Sequence, residues 1–138
     1  MKGKDVLSSE EQLHIIQSGV AGITPLGAMK KKLDRGTPLN IKLGVDPTSP
    51  DLHIGHAVPL RKLRQFQDLG HEVTLIIGDG TAMIGDPSGR TDMRQMMTPE
   101  TIQHNCDCFK KQMSRFIDFS DGKALMVNNA DWLMDLNY

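Results

Sequence analysis

The sequence lacks long apolar runs and has only two cysteines, and these shortages exclude several classes of protein. Its longest apolar run, residues 73–77, is far too short to cross a bilayer. Residues 1–11 contain no apolar core of the kind that a signal peptide needs. Cys106 and Cys108 are one residue apart, which argues against a disulfide between them, and no other cysteine is present to build a structural zinc site. We therefore expect a cytoplasmic protein with reduced thiols and no membrane association.

Sequence motifs of several large enzyme families are also missing. No Gly-x-Gly-x-x-Gly fingerprint follows the first predicted strand, and no Walker-type phosphate loop is present. These absences disfavour a dinucleotide-dependent oxidoreductase and a P-loop kinase or GTPase. The Gly-x-Ser-x-Gly elbow of serine hydrolases is missing too. A net charge of −1 argues against a protein whose whole surface binds nucleic acid, although it is compatible with a local basic patch.

What the sequence does contain is an alternation of helical and strand patterns over 138 residues, a length typical of one domain. The predicted elements are helices beginning at Ser9 and Pro25, a strand at 41–46, a helix capped near Asp51, a strand at 73–77, a loop at 78–89, a helix beginning at Thr98, a strand at 124–127 and a helix capped by Asn129. This order predicts an α/β fold, the first half of a Rossmann-like doubly wound parallel sheet preceded by two helices. The apolar run at 73–77 favours a central strand covered on both faces. Ligands of such sheets bind beyond the carboxyl ends of the strands.

Two histidines lie at the predicted start of the helix that follows the first strand. His53 and His56 flank Ile54 and Gly55, and Gly55 would let a flat ring lie against the backbone. A helix N-terminus carries unpaired N–H groups and partial positive charge, so it attracts phosphate, and two imidazoles there can donate further hydrogen bonds. A surface pair without function is the alternative interpretation. Metal binding is disfavoured because no third ligand is near in the sequence.

Carboxylates and arginines follow the predicted strands. Asp46, Asp79 and Asp86 lie in turn-rich segments, where an Asp commonly starts a turn through its own side chain. At the mouth of a sheet cleft, such a carboxylate could instead bind a cationic group such as an α-amino group. Arg90 and Arg94 are four residues apart and could close over a polyphosphate, or could be two solvated charges.

Four segments of the chain resemble the bacterial tyrosyl-tRNA synthetases, which are class I aminoacyl-tRNA synthetases. Residues 45–56, ending in His-Ile-Gly-His, are similar to the HIGH signature of the class. Residues 60–71, residues 84–90 with their Gly-Asp-Pro-Ser-Gly-Arg run, and residues 128–133 are similar to segments of the tyrosine-specific family. The resemblance is tightest at 42–90. It implies tyrosine–tRNA ligase activity, in which ATP activates tyrosine to tyrosyl-adenylate and the tyrosyl group is then transferred to tRNA-Tyr.

The resemblance also implies roles for residues on the ATP side of the site. His53 and His56 would stabilise the transition state in which the tyrosine carboxylate attacks the α-phosphate of ATP. Gly55 would pack against adenine. Asp46 and Thr48 would line the loop beside the substrates, with Thr48 near the phosphates. Such a site works by positioning and charge stabilisation, with no covalent intermediate and no protein-bound metal.

On the tyrosine side, the resemblance implies that Thr81 and Asp86 face the amino acid, with Asp86 holding its ammonium group. Arg90 and Arg94 would be mobile-loop cations for the leaving pyrophosphate, and Mg²⁺ would arrive with ATP. The implied partners are L-tyrosine, ATP and tRNA-Tyr. The family resemblance also implies a homodimer for the full-length protein.

Two departures from the family pattern limit what the resemblance implies. One branch of the family has Tyr and Cys at the positions of Lys42 and Leu43, where they touch the substrate hydroxyl and the ribose. This chain resembles the other bacterial branch, so those two roles are not carried over. The chain also ends at Tyr138, inside a predicted helix and before the Lys-Met-Ser-Lys-Ser loop and the anticodon-binding domain of the family. We therefore expect residues 1–138 to be the N-terminal part of a catalytic domain, truncated and with little or no activity alone.

Two other functions stay open on the sequence alone. The chain could be a folded module that binds ATP through the histidine-bearing helix and catalyses nothing. It could also be a nucleotidyltransferase outside the synthetases, because His-x-Gly-His is shared with small enzymes of that superfamily. The Gly-Asp-Pro-Ser-Gly-Arg run disfavours this last interpretation.

Overall fold

The computed structural model describes residues 7–84 and 97–136. Its elements are the helices α1 (Ser9–Gln17), α2 (Leu26–Leu33), α3 (Ile54–Asp68), α4 (Asp79–Ile84), α5 (Pro99–Met113) and α6 (Ala130–Leu133), and the strands β1 (Asn40–Val45), β2 (Glu72–Ile77) and β3 (Ala124–Asn128). The predicted order is confirmed apart from α4. The loop expected at 78–89 is wrong for residues 79–84, which form a helix. No helix in the described ranges is long and apolar enough to span a membrane.

The three strands form a parallel sheet in the order β1-β2-β3. Val45 pairs with Ile77, and Ile77 pairs with Asn128, so the carboxyl ends of all three strands lie side by side. Helices connect successive strands, which is the βαβ arrangement of parallel sheets. The predicted parallel α/β sheet is confirmed, and one edge of it collects the loops that follow the three strands.

The main hydrophobic core lies between one face of the sheet and helices α3 and α5. On β2, Val73, Leu75 and Ile77 are buried on this face, because alternate residues of a strand point to the same side. The helices contribute the buried residues Leu60, Leu63, Ile102, Cys106, Phe109 and Met113. The buried residues of α5 recur at spacings of three and four, so they form one apolar side of that helix, which faces the sheet.

The opposite face of the sheet is more open. Lys42, Gly44 and Leu125 are exposed there, and Ile76 on the central strand is only half-buried. The expectation that β2 is covered on both faces is therefore wrong for the part of the chain that the structure describes. The expected central position of β2 is confirmed. The apolar run predicts where the strand lies in the sheet but not which elements pack on it.

A smaller cluster packs α1 and α2 against α3 around Ile16, Leu33 and Phe66. Lys62 on α3 crosses this contact, and its Nζ donates to the carbonyl oxygens of Ile16 at 3.0 Å and Ser18 at 2.7 Å. These carbonyls lie at the C-terminal end of α1, where a cation is also favoured by the helix dipole. Lys62 thereby fixes α1 to the βαβ unit.

The helix starts follow capping chemistry. The carboxylate of Glu11 accepts the backbone N–H of Ser8 at 2.8 Å, and the Ser8 hydroxyl accepts the N–H of Glu11 at 3.3 Å. Ser8 and Glu11 therefore form a capping box, and the helix begins at Ser9, as the sequence predicts. At α5 the predicted N-cap, Thr98, is confirmed.

Candidate active site

A loop of residues 46–52 leads from the end of β1 to His53, which is the N-cap of α3 and lies two residues after Asp51, near which the sequence predicts the cap. Two imidazoles cap this helix. Nδ1 of His53 accepts the N–H of Gly55 at 3.1 Å, and Nδ1 of His56 accepts the N–H of His53 at 3.2 Å. The two ring centroids are 3.9 Å apart. The histidines that the sequence singles out therefore form one unit, the histidine pair, at the helix N-terminus.

These hydrogen bonds determine where each imidazole of the pair carries its proton. Because each Nδ1 accepts a backbone N–H, a neutral ring must carry its proton on Nε2. Burial lowers the pKa of His56 below its usual 6.5, and the neighbouring His53 lowers that pKa further. His56 is therefore mainly neutral at pH 7. The pair offers two Nε2–H donors at the positive end of the helix dipole, an arrangement that suits an anion such as phosphate.

Two residues in the first turns of α3 have special backbone properties. A Cβ added at Gly55 would lie 2.8 Å from Cε1 and 2.9 Å from Nδ1 of His53. A side chain at this position would push the imidazole away from the N–H that it caps, so the histidine pair itself requires a glycine here. Pro59, which has no N–H group, lies inside the same helix. The sequence predicts only that Gly55 lets a ligand ring approach, because the contact with His53 depends on the orientation of that ring.

A second group of side chains, the strand-end network of Asp46, Thr81 and Asn129, joins the ends of the three strands. Asp46 follows β1, and its Oδ1 accepts a hydrogen bond from Oγ1 of Thr81 on α4 at 2.8 Å. Nδ2 of Asn129, which follows β3, donates to Oγ1 of Thr81 at 3.2 Å. The structure thus brings together Asp46 and Thr81, which the sequence singles out. It adds Asn129, which sequence reasoning identifies only as a helix cap.

The turn between β2 and α4 is packed against this network. Asp79 is only 9% exposed, and its Oδ1 accepts the N–H groups of Gly80 at 2.9 Å and Ala130 at 3.0 Å. The N–H of Gly80 also donates to Oδ1 of Asn129 at 2.8 Å. Of the two interpretations of Asp79, the structure therefore fits the one in which its side chain fixes local backbone. Asp79 ties the start of α4 to the start of α6.

Gly78 is the point of closest packing in this turn. Its N–H donates to the carbonyl oxygen of Val45 at 2.8 Å, which continues the pairing of β1 with β2. A Cβ added at Gly78 would overlap Oδ1 of Asp46 and would lie 2.6 Å from Oγ1 of Thr81. The hydrogen bond between Asp46 and Thr81 therefore needs a glycine beside it.

The other predicted site residues contribute less to the described geometry. Thr48 is exposed, and its N–H donates to the carbonyl oxygen of Asp46 at 2.8 Å. Asp86, Arg90 and Arg94 lie outside the described residues. Within residues 7–84 and 97–136, no group of three Cys, His, Asp or Glu side chains is arranged to hold a metal ion. The described site therefore consists of the histidine pair, the loop that precedes it and the strand-end network.

Comparison with known proteins places this sequence in a family. Residues 34–138 match the family model of the tRNA synthetases class I (W and Y). The tyrosine–tRNA ligase of Acetivibrio thermocellus is 51% identical over 119 residues, which are 86% of this chain and 29% of that relative. The tyrosine–tRNA ligase of Clostridium beijerinckii is 55% identical over 108 residues, which are 78% of this chain and 27% of that relative. The chain therefore spans less than a third of the length of either relative.

Solved structures share the fold. A tyrosyl-tRNA synthetase from Archaeoglobus fulgidus, complexed with L-tyrosine, has a TM-score of 0.74 at 17% identity, over 92% of this chain and 36% of that chain. A C-terminally truncated mitochondrial tyrosyl-tRNA synthetase from Coccidioides posadasii has a TM-score of 0.63 at 28% identity, over 98% of this chain and 38% of that chain. The predicted Rossmann-like α/β fold is confirmed. With the family match over residues 34–138, this chain belongs to the class I tRNA synthetases of the W and Y group.

Proposed function

We propose that this chain carries the ATP-binding histidine pair and part of the tyrosine site of a tyrosine–tRNA ligase. Such an enzyme joins tyrosine to ATP with release of pyrophosphate, and then transfers the tyrosyl group from the adenylate to tRNA-Tyr. The observation that carries the proposal is the pair of Nε2–H donors, on His53 and His56, at the N-terminus of α3. Relatives named tyrosine–tRNA ligase support the choice of amino acid and of tRNA.

The histidine pair acts in the activation step. As the tyrosine carboxylate attacks the α-phosphate of ATP, negative charge builds up on the phosphate oxygens. The Nε2–H groups of His53 and His56 donate to these oxygens, and the helix N-terminus adds positive potential. Because backbone N–H groups fix both rings, the donors are already oriented when the charge develops. Gly55 packs against adenine, and Thr48 lies near the phosphates, in the loop that Asp46 begins.

The tyrosine side of the site is assigned to Thr81 and Asp86, with Asp86 holding the ammonium group. Arg90 and Arg94 pair with the leaving pyrophosphate. The last three of these residues lie outside the described ranges, so their support is the Gly-Asp-Pro-Ser-Gly-Arg run in the sequence. Mg²⁺ enters as the counter-ion of the ATP phosphates, with no ligand from the protein.

The other partners belong to the same proposal. Residues 1–138 form the N-terminal part of the catalytic domain, and a longer protein supplies the remaining tyrosine and phosphate contacts and the tRNA-binding surface. In support, the chain spans 29% and 27% of the two tyrosine–tRNA ligases described above. The full-length enzyme acts as a homodimer in the cytoplasm, where translation takes place.

A tyrosine-dependent ATP–pyrophosphate exchange assay on the longer protein that contains this chain tests the proposal. We expect exchange with tyrosine, and a loss of about 10²–10³-fold in the His56→Ala variant, which is the typical cost of removing one preorganised donor. His104→Ala is the matched control, because His104 is exposed on α5 and its side chain contacts Cys108. Exchange that prefers another amino acid would overturn the tyrosine assignment. Unchanged exchange in His56→Ala would overturn the role of the histidine pair.

An ATP-binding module without catalysis is the second candidate. One observation favours it, since the hydrogen bonds that orient the histidine pair all come from residues 53–56 of this chain. Calorimetry with ATP on the 138-residue chain decides this point. Binding heat that is lost in His56→Ala supports the module, and a folded chain that gives no heat excludes it. The nucleotidyltransferase outside the synthetases is set aside because the chain belongs to the class I tRNA synthetases.

A further inference from the structure

Two amides of α5 hold the loop that leads to the histidine pair. Nε2 of Gln112 donates to the carbonyl oxygen of Pro50 at 2.8 Å, and Oε1 of the same side chain accepts the N–H of Leu52 at 3.0 Å. Nδ2 of Asn105 donates to the carbonyl oxygen of Pro47 at 2.9 Å. Asn105 is only 3% exposed. Three backbone groups of one short loop are therefore satisfied by two side chains of a single helix.

The loop needs such partners because of its composition. Pro47 and Pro50 have no N–H group, so the loop cannot form a regular ladder with a neighbouring strand. A backbone polar group withdrawn from water needs a hydrogen-bond partner, and at the buried Pro47 the amide of Asn105 provides it. These contacts join residues 58, 60 and 62 positions apart, so they form only in the folded chain.

The same face of α5 also touches the histidine pair directly. Asn105 and Gln112 are seven residues apart, which is close to two helical turns, so they lie on one side of the helix. Between them, Phe109 is fully buried and packs edge-on against the ring of His56, with the centroids 5.8 Å apart. His53 and Gln112 line one open cleft of about 310 Å³. One side of helix α5 therefore contacts both the loop and the imidazole of His56.

The hydrogen bond between Gln112 and Leu52 lies one residue before the histidine pair. The N–H of Leu52 is held by Gln112, and the next N–H, that of His53, is the one that His56 accepts. A shift of the loop at Leu52 therefore moves the backbone group that orients His56, and with it the direction of the Nε2–H donors. Sequence reasoning did not identify this link, because it singles out neither Gln112 nor Asn105.

We propose that Gln112 is a positioning residue, which fixes the orientation of the histidine pair through the loop of residues 46–52, a loop that Asn105 also anchors at Pro47. This proposal rests on the proposed function at one point, which is that the anion bound by the histidine pair is a phosphate of ATP. In this role the amide acts on the bound anion through the loop, without needing to touch the anion. Its effect on ATP passes through Leu52 and His53.

Three variants of the 138-residue chain test this positioning role. Gln112→Ala removes both bonds to the loop. Gln112→Glu keeps an acceptor for the N–H of Leu52 and loses the donor to Pro50. Gln103→Ala is the control, because Gln103 lies on the same helix but its side chain bonds to Asp107 on the helix surface. NMR spectra give the ring-nitrogen shifts of the two histidines and the hydrogen exchange of Leu52, and calorimetry gives the ATP affinity.

We expect Gln112→Ala to speed the exchange of the Leu52 N–H about tenfold and to weaken ATP binding by a similar factor, which is the lower end of the range for the loss of two hydrogen bonds. It should also shift the Nδ1 signal of His56. Gln112→Glu should recover most of the Leu52 protection, and Gln103→Ala should match the unchanged chain. Urea unfolding of all variants separates a loss of stability from a change in the pair.

The outcomes distinguish this proposal from the proposed function. If Gln112→Ala changes only the unfolding midpoint, with histidine and Leu52 signals unchanged, Gln112 is merely structural and its positioning role is overturned. If the unchanged chain binds no ATP but Gln112→Ala still shifts His56, ATP binding by this chain fails while the positioning role stands. If both ATP binding and the His56 signal change together, both proposals are supported.

Discussion

The two groups at the carboxyl edge of the sheet are held in different ways. In the histidine pair, each hydrogen bond joins residues two or three positions apart. In the strand-end network, the bonds from Thr81 to Asp46 and from Asn129 to Thr81 join residues 35 and 48 positions apart. The first group is a local capping motif. The second exists only when three strands are in register.

This difference predicts how each group responds to substitution. A residue of the network contributes to stability, because its partners come from separate elements and its removal loosens the contact between them. A residue of the histidine pair caps one exposed helix end, so its replacement costs little stability and mainly removes donors. A substitution in the strand-end network should therefore lower mainly the free energy of unfolding. A substitution in the histidine pair should change mainly the donors that face a ligand.

Gly78→Ala should have the largest effect on stability. Its added methyl group overlaps Oδ1 of Asp46 and crowds Oγ1 of Thr81. Overpacking of this kind typically costs about 1–3 kcal/mol. We expect a lowered free energy of unfolding and a lower urea midpoint, measured by circular dichroism.

Gly44→Ala is the matched control for that variant. Gly44 lies in β1, and a Cβ built there meets nothing within 4 Å. Because alanine also restricts the unfolded chain, this change should leave stability unchanged or raise it by up to about 1 kcal/mol. Equal urea midpoints for the two variants would contradict the close packing of Asp46 against the end of β2.

Asn129→Ala should have an intermediate effect. It removes the acceptor for the N–H of Gly80 and the donor to Thr81, while Gly80 keeps its bond to Asp79. We expect the free energy of unfolding to fall by about 1–2 kcal/mol, which is the usual cost when a buried hydrogen bond is broken and one partner keeps another bond. Asn40→Ala is the control, since the side chain of Asn40 is exposed at the start of β1 and makes a 3.4 Å contact with Thr74. Equal loss in both variants would show that the network adds no stability.

Gly55→Ala should have the smallest effect on stability and a clear effect on the histidine pair. Alanine favours a helix over glycine by up to about 1 kcal/mol, which offsets the displacement of the His53 ring. The added methyl group should break the bond between His53 and the N–H of residue 55. Nitrogen shifts of His53 measure this loss. A drop in stability as large as that of Gly78→Ala would contradict the local character of the pair.

The same contrast between local and long-range contacts explains how much the sequence predicts. The βαβ order, the parallel sheet and the pair of His53 and His56 follow from apolar spacing, turn residues and a short motif. Helix α4 does not, because its segment contains a glycine and no capping pattern. Its backbone is fixed by tertiary bonds, from Gly80 to Asn129 and from Ala130 to Asp79. No periodicity in the sequence encodes such contacts.

Asn129 and Gln112 show which residues of the site the sequence does not predict. An asparagine before a helix predicts a cap, yet the amide of Asn129 bonds to Gly80 and Thr81 and makes no side-chain cap bond to α6. Gln112 lies among the polar residues of α5, where a sequence pattern cannot distinguish a solvated amide from one that holds a loop. In both cases the partner lies on another element, so only the folded chain identifies it.

Pro59 determines how firmly the first turn of α3 is joined to the rest of the helix. Since proline cannot donate a hydrogen bond, the carbonyl oxygen of Gly55, four residues earlier, lacks its α-helical donor. The turn that carries the histidine pair therefore has one backbone bond fewer to the helix behind it than an uninterrupted helix would give. The direction of the two imidazoles depends correspondingly more on their own capping bonds and on the loop that α5 holds.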